Sequence, residues 1–271
     1  MKLYNSLYIC TSVKNTLKLN FGCFLSILLI FVSNSILSQI IITDRPDQTE
    51  SPVTLEKGRL QIESGVLHQV DGDGSEELKS FLIPTNLFRF GISKKVELRL
   101  VLQLEGLQVF NDNAYHYALR NIELGTKIAL KQKENPKVQF AIISHLKLPK
   151  DNKDQLGFLN RISIAHRIGQ NTSLGYNFGY NHFHQGDGNF IYTIAVGQSL
   201  TEKLSIYLEP YGSVYTANIP FSNFDYGLAY LINSNLQLDL SFGLGLNNNM
   251  SYQSLGISWR QKAKEKNSTN P

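Results

Sequence analysis

Residues 95–104 read KVELRLVLQL. Val96, Leu98, Leu100, Leu102 and Leu104 share one parity; Glu97, Arg99, Val101 and Gln103 share the other. Side chains on a β-strand alternate faces with period two, so this is a strand with one greasy face and one charged, wet face. The same rhythm recurs almost to the C-terminus. The spacing predicts strands over 59–70, 78–90, 95–104, 120–131, 137–148, 158–168, 172–183, 190–200, 203–215, 223–232, 235–246 and 252–260. A soluble sandwich also alternates, but with shorter strands. A dozen segments of roughly 10 residues, separated by turn residues, match an all-β fold: a transmembrane antiparallel up-and-down β-barrel of about 12 strands, apolar out and polar in.

The connections support that reading. GISK (91–94), QKENP (132–136), GQN (169–171), TE (201–202) and NS (233–234) are short. DGDGSEE (71–77), EGLQVFNDNAYHYAL (105–119), PKDNKDQLG (149–157), HQGDGN (184–189), TANIPFS (216–222) and NNNMS (247–251) are mostly longer. Bacterial barrels alternate short periplasmic turns with longer external loops. An even strand count then puts both termini on the periplasmic side.

Ahead of the strands, residues 1–20 carry Lys2, Lys14 and Lys18 and no acid, and FGCFLSILLIFVSNSIL (21–37) is apolar. With small Ser35 and Ser38 behind it, this has the form of a secretory signal over 1–38, cut between Ser38 and Gln39. A membrane-anchoring helix is the competing reading, but the apolar run is short and Ser33 and Asn34 interrupt it. A lipoprotein signal is disfavoured because Cys23 stands at the start of the apolar core. Both cysteines, Cys10 and Cys23, fall inside this segment, which leaves the remainder without disulfides, thiolate metal sites or a Cys nucleophile. The formal net charge of +4 falls by three, to +1, once the three lysines are removed, so a nucleic-acid partner loses its main support. The outline is thus a signal at 1–38, an extended periplasmic or lumen-tucked lead-in at 39–58, the barrel at 59–260 and a hydrophilic, disordered tail at 261–271.

The outward face is itemised by parity. Leu236, Leu238, Leu240, Phe242, Leu244 and Leu246 point outward from one segment, and Val138, Phe140, Ile142, Leu146 and Leu148 from another. Phe88, Phe90, Tyr176, Phe178, Tyr180, Tyr192, Tyr226, Tyr230 and Trp259 share the outward parity, as interfacial aromatic girdles require. Solute chemistry belongs to the inward face: Glu97, Arg99, Glu105, Glu123, Lys127, His145, Lys147, Arg161, Arg167, Tyr207, Glu209, Tyr211, Asp225, Asp239 and Arg260. Charges of both signs there either line a water-filled passage or pair across a narrow lumen and fill it.

Several motifs carry less than they suggest. His182 and His184 in YNHFHQGDG share a strand face at a rim, with no third ligand fixed beside them, and read as loop histidines. A rim lipid hydrolase would need a serine near that histidine, and none is marked. DGDGSEE lacks the ligand spacing of a helix–loop–helix calcium site. Gly243 and Gly245 relieve crowding in a strand rather than cradle phosphate.

ITDRPDQTESP (42–52) followed by RLQIESGV (59–66), then LFRFGISKKVELRL (87–100) and a closing SLGISWR (254–260), resembles the outer-membrane barrel family labelled "putative MetA-pathway of phenol degradation", often described simply as a transporter. Thr43 through Glu50 is the most specific part, and Ser38–Gln39 resembles signal junctions of Bacteroidetes. The resemblance implies a Gram-negative outer membrane and a link to aromatic solutes, and carries no catalytic motif. Independently of it, a proline-stiffened strip before the first strand suggests a periplasmic gate or plug built from Asp44, Arg45, Asp47 and Glu50, with Arg45 pairing an inward acid such as Glu123 or Asp239.

The expected activity is a passive or facilitated conduit for small solutes, ring-bearing ones included. The alternatives are a non-conducting structural or surface-binding barrel and, behind it, a rim lipid-modifying enzyme. No cofactor or metal is indicated. The partners expected are outer-membrane lipid and lipopolysaccharide, a small-molecule solute, and the periplasmic chaperones and barrel-insertion machinery.

Overall fold

A computed structural model describes residues 40–109, 114–131, 137–149, 156–183, 188–215 and 220–262. The expected signal at 1–38, His184 and nearly all of the tail lie outside those residues. Alternation closes the chain into one sheet of twelve strands: β1 (Leu60–Asp71), β2 (Leu78–Gly91), β3 (Val96–Val109), β4 (His116–Lys131), β5 (Val138–Lys147), β6 (Gly157–Ile168), β7 (Thr172–His182), β8 (Gly188–Ser199), β9 (Leu204–Tyr215), β10 (Phe221–Asn233), β11 (Leu236–Gly245) and β12 (Met250–Arg260). Each strand pairs antiparallel with its sequence neighbours, and β12 pairs with β1 to complete the barrel. Closure leaves no unpaired edge, the condition for strands to cross a bilayer.

The wall sorts residues as the period-two pattern requires. On β12, Leu255 is 56% exposed while Ser258 is fully buried. One outward row runs Val96, Ile128, Ile142, Ile162, Phe178, Tyr192 across β3 to β8. This is the apolar belt of a membrane-spanning barrel. The inside is the inverse of a soluble core, because its largest fully buried side chains include Arg89, Lys127, Gln61, Glu63, Glu97 and Glu209.

Two of the bulges in the wall interrupt the expected alternation. β3 and β4 run on to Val109 and start at His116, so the expected fifteen-residue loop 105–119 is mostly wall. The pairing register slips at Arg120, where Leu104 faces Leu119 but Gln103 faces Asn121. An extra residue flips the parity, so the exposed outward set is Tyr117 and Leu119 above the bulge and Leu124, Ile128 and Leu130 below it. A single alternation cannot be read through that change. β2 slips likewise between Leu82 and Thr85, at Pro84, which has no N–H to give the ladder.

Candidate functional site

The lead-in enters the lumen at the end of the barrel that carries the short turns, and returns to it. Ile41 N–H donates to the Ser234 carbonyl in the β10–β11 turn. At the far end of the lead-in, the Thr54 hydroxyl donates to the Lys94 carbonyl in the β2–β3 turn. Between these points residues 42–53 form a loop that reaches mid-lumen and bonds to strands nearly all the way round.

One side of the lumen is basic. Arg89 on β2, Arg99 on β3 and Lys127 on β4 converge on Asp44, with contacts of 3.6 Å, 2.7 Å and 2.8 Å to its Oδ2. Asp44 Oδ1 accepts the Ser51 N–H at 2.8 Å, tying the loop's two limbs together. Burial pushes the Asp44 carboxyl up, but Arg89, Lys127 and Arg99 overturn that and hold it well below the usual carboxylate range. Glu50 sits beside it. Its carboxylate takes Arg99 Nη2 at 2.6 Å and Arg161 Nη1 from β6, and these cations outweigh its burial and lower its pKa to about 2. The Glu50 backbone is held as well: its N–H donates to Asn177 Oδ1, and its carbonyl accepts from Ser163 and Asn177. Two wall acids complete the lattice. Glu97 accepts Arg89 Nε at 2.8 Å and the Leu55 N–H, and Glu63 accepts Arg89 Nη1 and the Asp44 N–H.

The opposite side is acidic. Glu209 on β9 accepts the Gln48 N–H at 2.6 Å and the Thr49 hydroxyl, which in turn accepts from Thr193. Asp225 lies directly opposite Glu209 in the β9–β10 register and accepts from the Tyr252 hydroxyl. Arg45 reaches β11 and β12, donating to Asp239 at 3.0 Å and to Ser254, and to Thr85 on β2. It lies flat against Gly65 and Gly256, which face each other across the β1–β12 junction. A Cβ on Gly65 would stand 2.7 Å from Arg45 Nη2, and one on Gly256 would stand 2.4 Å from its Nε. Asp47, by contrast, stands on the acidic side, where burial first and the Asp225 charge second raise its pKa to about 8.

Glycines let side chains reach across a strand. Gly125 separates Arg99 from His145 in the register, and a Cβ there would lie 2.0 Å from His145 Cδ2. The imidazole occupies that space, accepts Arg99 Nε at 3.0 Å through Nε2, and so donates from Nδ1 to Glu123 at 2.7 Å. Gly243 does the same for Tyr252 on its way to Asp225.

Of the residues singled out from sequence, Glu97, Arg99, Lys127 and Arg161 join the basic cluster, with Glu123 and His145 attached to its upper edge. Tyr207, Glu209, Asp225 and Asp239 are buried along the acidic wall, and Tyr211 is half-buried above them. Arg167 is exposed near the short-turn end of β6, apart from both groups. Arg45 takes Asp239 rather than Glu123, whose carboxylate is engaged by His145 and Asn121. Sequence reading passed over Gln61, Glu63, Arg89 and Asn177. Parity marks all four as inward, and Arg89 stands between outward Phe88 and Phe90, but nothing in their spacing distinguishes a contact to the lead-in from an ordinary lumen residue.

The profile of a family described as "Putative MetA-pathway of phenol degradation" matches residues 43–260, which takes in the lead-in loop and every strand. Among solved structures, an outer membrane channel from Pseudomonas putida F1 is similar at a TM-score of 0.59 and 11% identity, over 81% of this chain and all of that one. The KdgM porin in complex with disordered oligogalacturonate gives 0.51 and 10%, over 73% and 98%. The NanC porin gives 0.51 and 8%, over 74% and 98%. At these identities the likeness is one of fold. No curated protein sequence matches the chain.

Proposed function

From a chain that belongs to the family described as "Putative MetA-pathway of phenol degradation" and folds as a closed barrel with a charged lumen, we propose an outer-membrane conduit for small solutes. The observation that carries this reading is the division of the lumen into a basic wall (Arg89, Arg99, Lys127, Arg161) and a nearly opposite acidic wall (Glu209, Asp225, Asp239). The basic wall is balanced only while Asp44 and Glu50 of the lead-in stand against it beside Glu63 and Glu97, so with the lead-in withdrawn it presents surplus cations to the lumen. The field between the two walls orients and sorts polar solutes. In this reading the short-turn end faces the periplasm, the lead-in is a plug inserted from that side, and Tyr211 offers a stacking surface to ring-bearing solutes. Outer-membrane lipid and lipopolysaccharide surround the apolar belt, and assembly uses periplasmic chaperones and the barrel-insertion machinery.

Liposomes carrying the refolded protein test this with small anionic, cationic, neutral and aromatic solutes. Selective leakage is expected, and deletion of residues 40–52 should increase it. A correctly folded, heat-modifiable barrel that leaks nothing, with the plug or without it, overturns the conduit. A second reading, a non-conducting barrel, is favoured by one feature: residues 44–50 bond to β1–β4, β6–β9, β11 and β12 at once. The same leakage assay separates the two.

A further inference from the structure

Two carboxylates of the lead-in meet on one guanidinium. Arg99 Nη1 donates to Asp44 Oδ2 at 2.7 Å and Arg99 Nη2 to Glu50 Oε2 at 2.6 Å, so the two acids stand side by side on sister nitrogens. Lys127 adds its ammonium to Asp44, and Arg161 its guanidinium to Glu50. The charges close only with the lead-in in place. Arg89, Arg99, Lys127 and Arg161 face two wall acids, Glu63 and Glu97, and the two lead-in acids. Glu123, at the edge, is engaged by His145 and Asn121. Withdrawal of the lead-in leaves two positive charges unanswered, and removing one side of a buried ion pair is what makes its loss costly. A replacement therefore needs two negative charges at a similarly short separation.

These contacts are not equally sealed. The Arg99 and Asp44 side chains are each 2% exposed, whereas Arg161 is 26% and Glu50 11% exposed. A cavity of about 340 Å³, lined by Leu159, the next inward residue on β6 toward the long loops, lies on that side. Arg120 and Lys147 line it against one acid, Glu123, so an anion passes cations on its way to Arg161. The lead-in is tied at the short-turn end through Ile41 and Thr54, and it crosses the lumen without regular secondary structure. Its acids can be exchanged one partner for another, beginning at Glu50, with no cation left bare.

We propose that the basic wall is a receptor for a compact dicarboxylate, and that the lead-in occupies it as a tethered stand-in. Asp44 and Glu50 hold the places of the ligand's two carboxylates. A dianion arriving from the long-loop side takes Arg161 and Arg99 from Glu50, then Arg99 and Lys127 from Asp44, and the lead-in is released toward the short turns. By linkage, whatever weakens the seated lead-in strengthens the dianion. The assignment rests on the conduit reading for its purpose, since release of the lead-in by its own solute would open the passage.

Calorimetric binding to the full chain in detergent micelles tests this with maleate, fumarate, butyrate and putrescine, at a pH where every carboxyl of the probes is ionised. Maleate, whose carboxylates lie on one side of a rigid bond, should bind tightest, fumarate and butyrate more weakly, and the diamine not at all. Glu50→Gln removes part of the tethered competitor and should tighten maleate about tenfold, the worth of one charge-assisted hydrogen bond. Adding Arg161→Gln to that chain should weaken maleate again by a similar factor, and Arg161→Lys should keep most of the affinity. In the unaltered chain, maleate should also speed glutamyl endopeptidase cleavage after Glu50, mapped by mass spectrometry, a readout that needs no variant to fold. Fumarate or butyrate binding as tightly as maleate, a folded Glu50→Gln chain that binds maleate no better, or saturating maleate that leaves this cleavage unchanged overturns the proposal. Liposome flux of maleate keeps the two readings apart. Maleate that frees the lead-in but never crosses removes the conduit and leaves the receptor; maleate that crosses without freeing the lead-in removes the receptor and leaves the conduit.

Discussion

At the residue scale the lumen depends on charges that have given up water. Asp44 is the sharpest case, one carboxylate answering three buried cations. Asp44→Asn keeps the size and leaves Arg89, Arg99 and Lys127 without it, and breaking a buried pair in this way costs about 3–5 kcal/mol. The expected result is a lower midpoint in urea unfolding, together with faster proteolysis of the lead-in. Gly125→Ala is a steric counterpart. Its new Cβ would displace His145, separating the imidazole from Arg99 at a cost of roughly 1–3 kcal/mol by the same unfolding measurement. Much of this detail was not legible in the sequence. Parity placed Arg99, Lys127 and Asp239 inside, and proline stiffness suggested that the Asp44–Asp47 strip folds back. The choice of partner depends on what else holds each acid, which sequence spacing does not record: Arg45 could name Asp239 or Glu123, and Glu123 is held by His145 and Asn121.

At the scale of elements, alternation was readable wherever a strand is unbroken. β11, with Leu238, Phe242 and Leu244 outward against Gln237, Asp239 and Ser241, is the clearest example. It failed at β4, where the bulge at Arg120 moves the outward set from odd to even positions and makes wall resemble loop. The lead-in is an element of another kind, with its own pH response. Asp47 has a raised pKa of about 8 against an ordinary value of 3.8, so the seated lead-in favours the protonated form. Its contribution to seating is therefore fully present below pH 3.8 and is lost as the pH rises through about 8. Solute leakage should increase between about pH 4 and pH 8, and Asp47→Asn should flatten that rise. An unchanged profile in Asp47→Asn would show that the lead-in is indifferent to this carboxyl.

At the scale of the whole molecule, the barrel is a protein turned inside out. Leucine and aromatic residues face outward, and the interior is a lattice of ions. The two faces should therefore respond oppositely to the same change. Ile162→Arg, on the outward row of β6, should cost about 2–4 kcal/mol of folding stability in vesicles if that row lies near the bilayer centre. A charge at Leu159, on the inward face of β6, should cost less, because a polar lumen can solvate it. Folding yield in lipid vesicles, read by heat-modifiable migration, compares the pair directly.

Arg45 joins pieces of the chain made at very different times. Its donors span β2, β11 and β12, and it crosses the glycine pair where β1 meets β12. During synthesis the lead-in and the first strand emerge long before the last. The recess for the guanidinium does not exist until Ser254 and Gly256 arrive and the final strand zips to the first. The Arg45 latch can therefore close only after β12 has paired with β1, and a chain stalled with eleven strands would carry its lead-in without it.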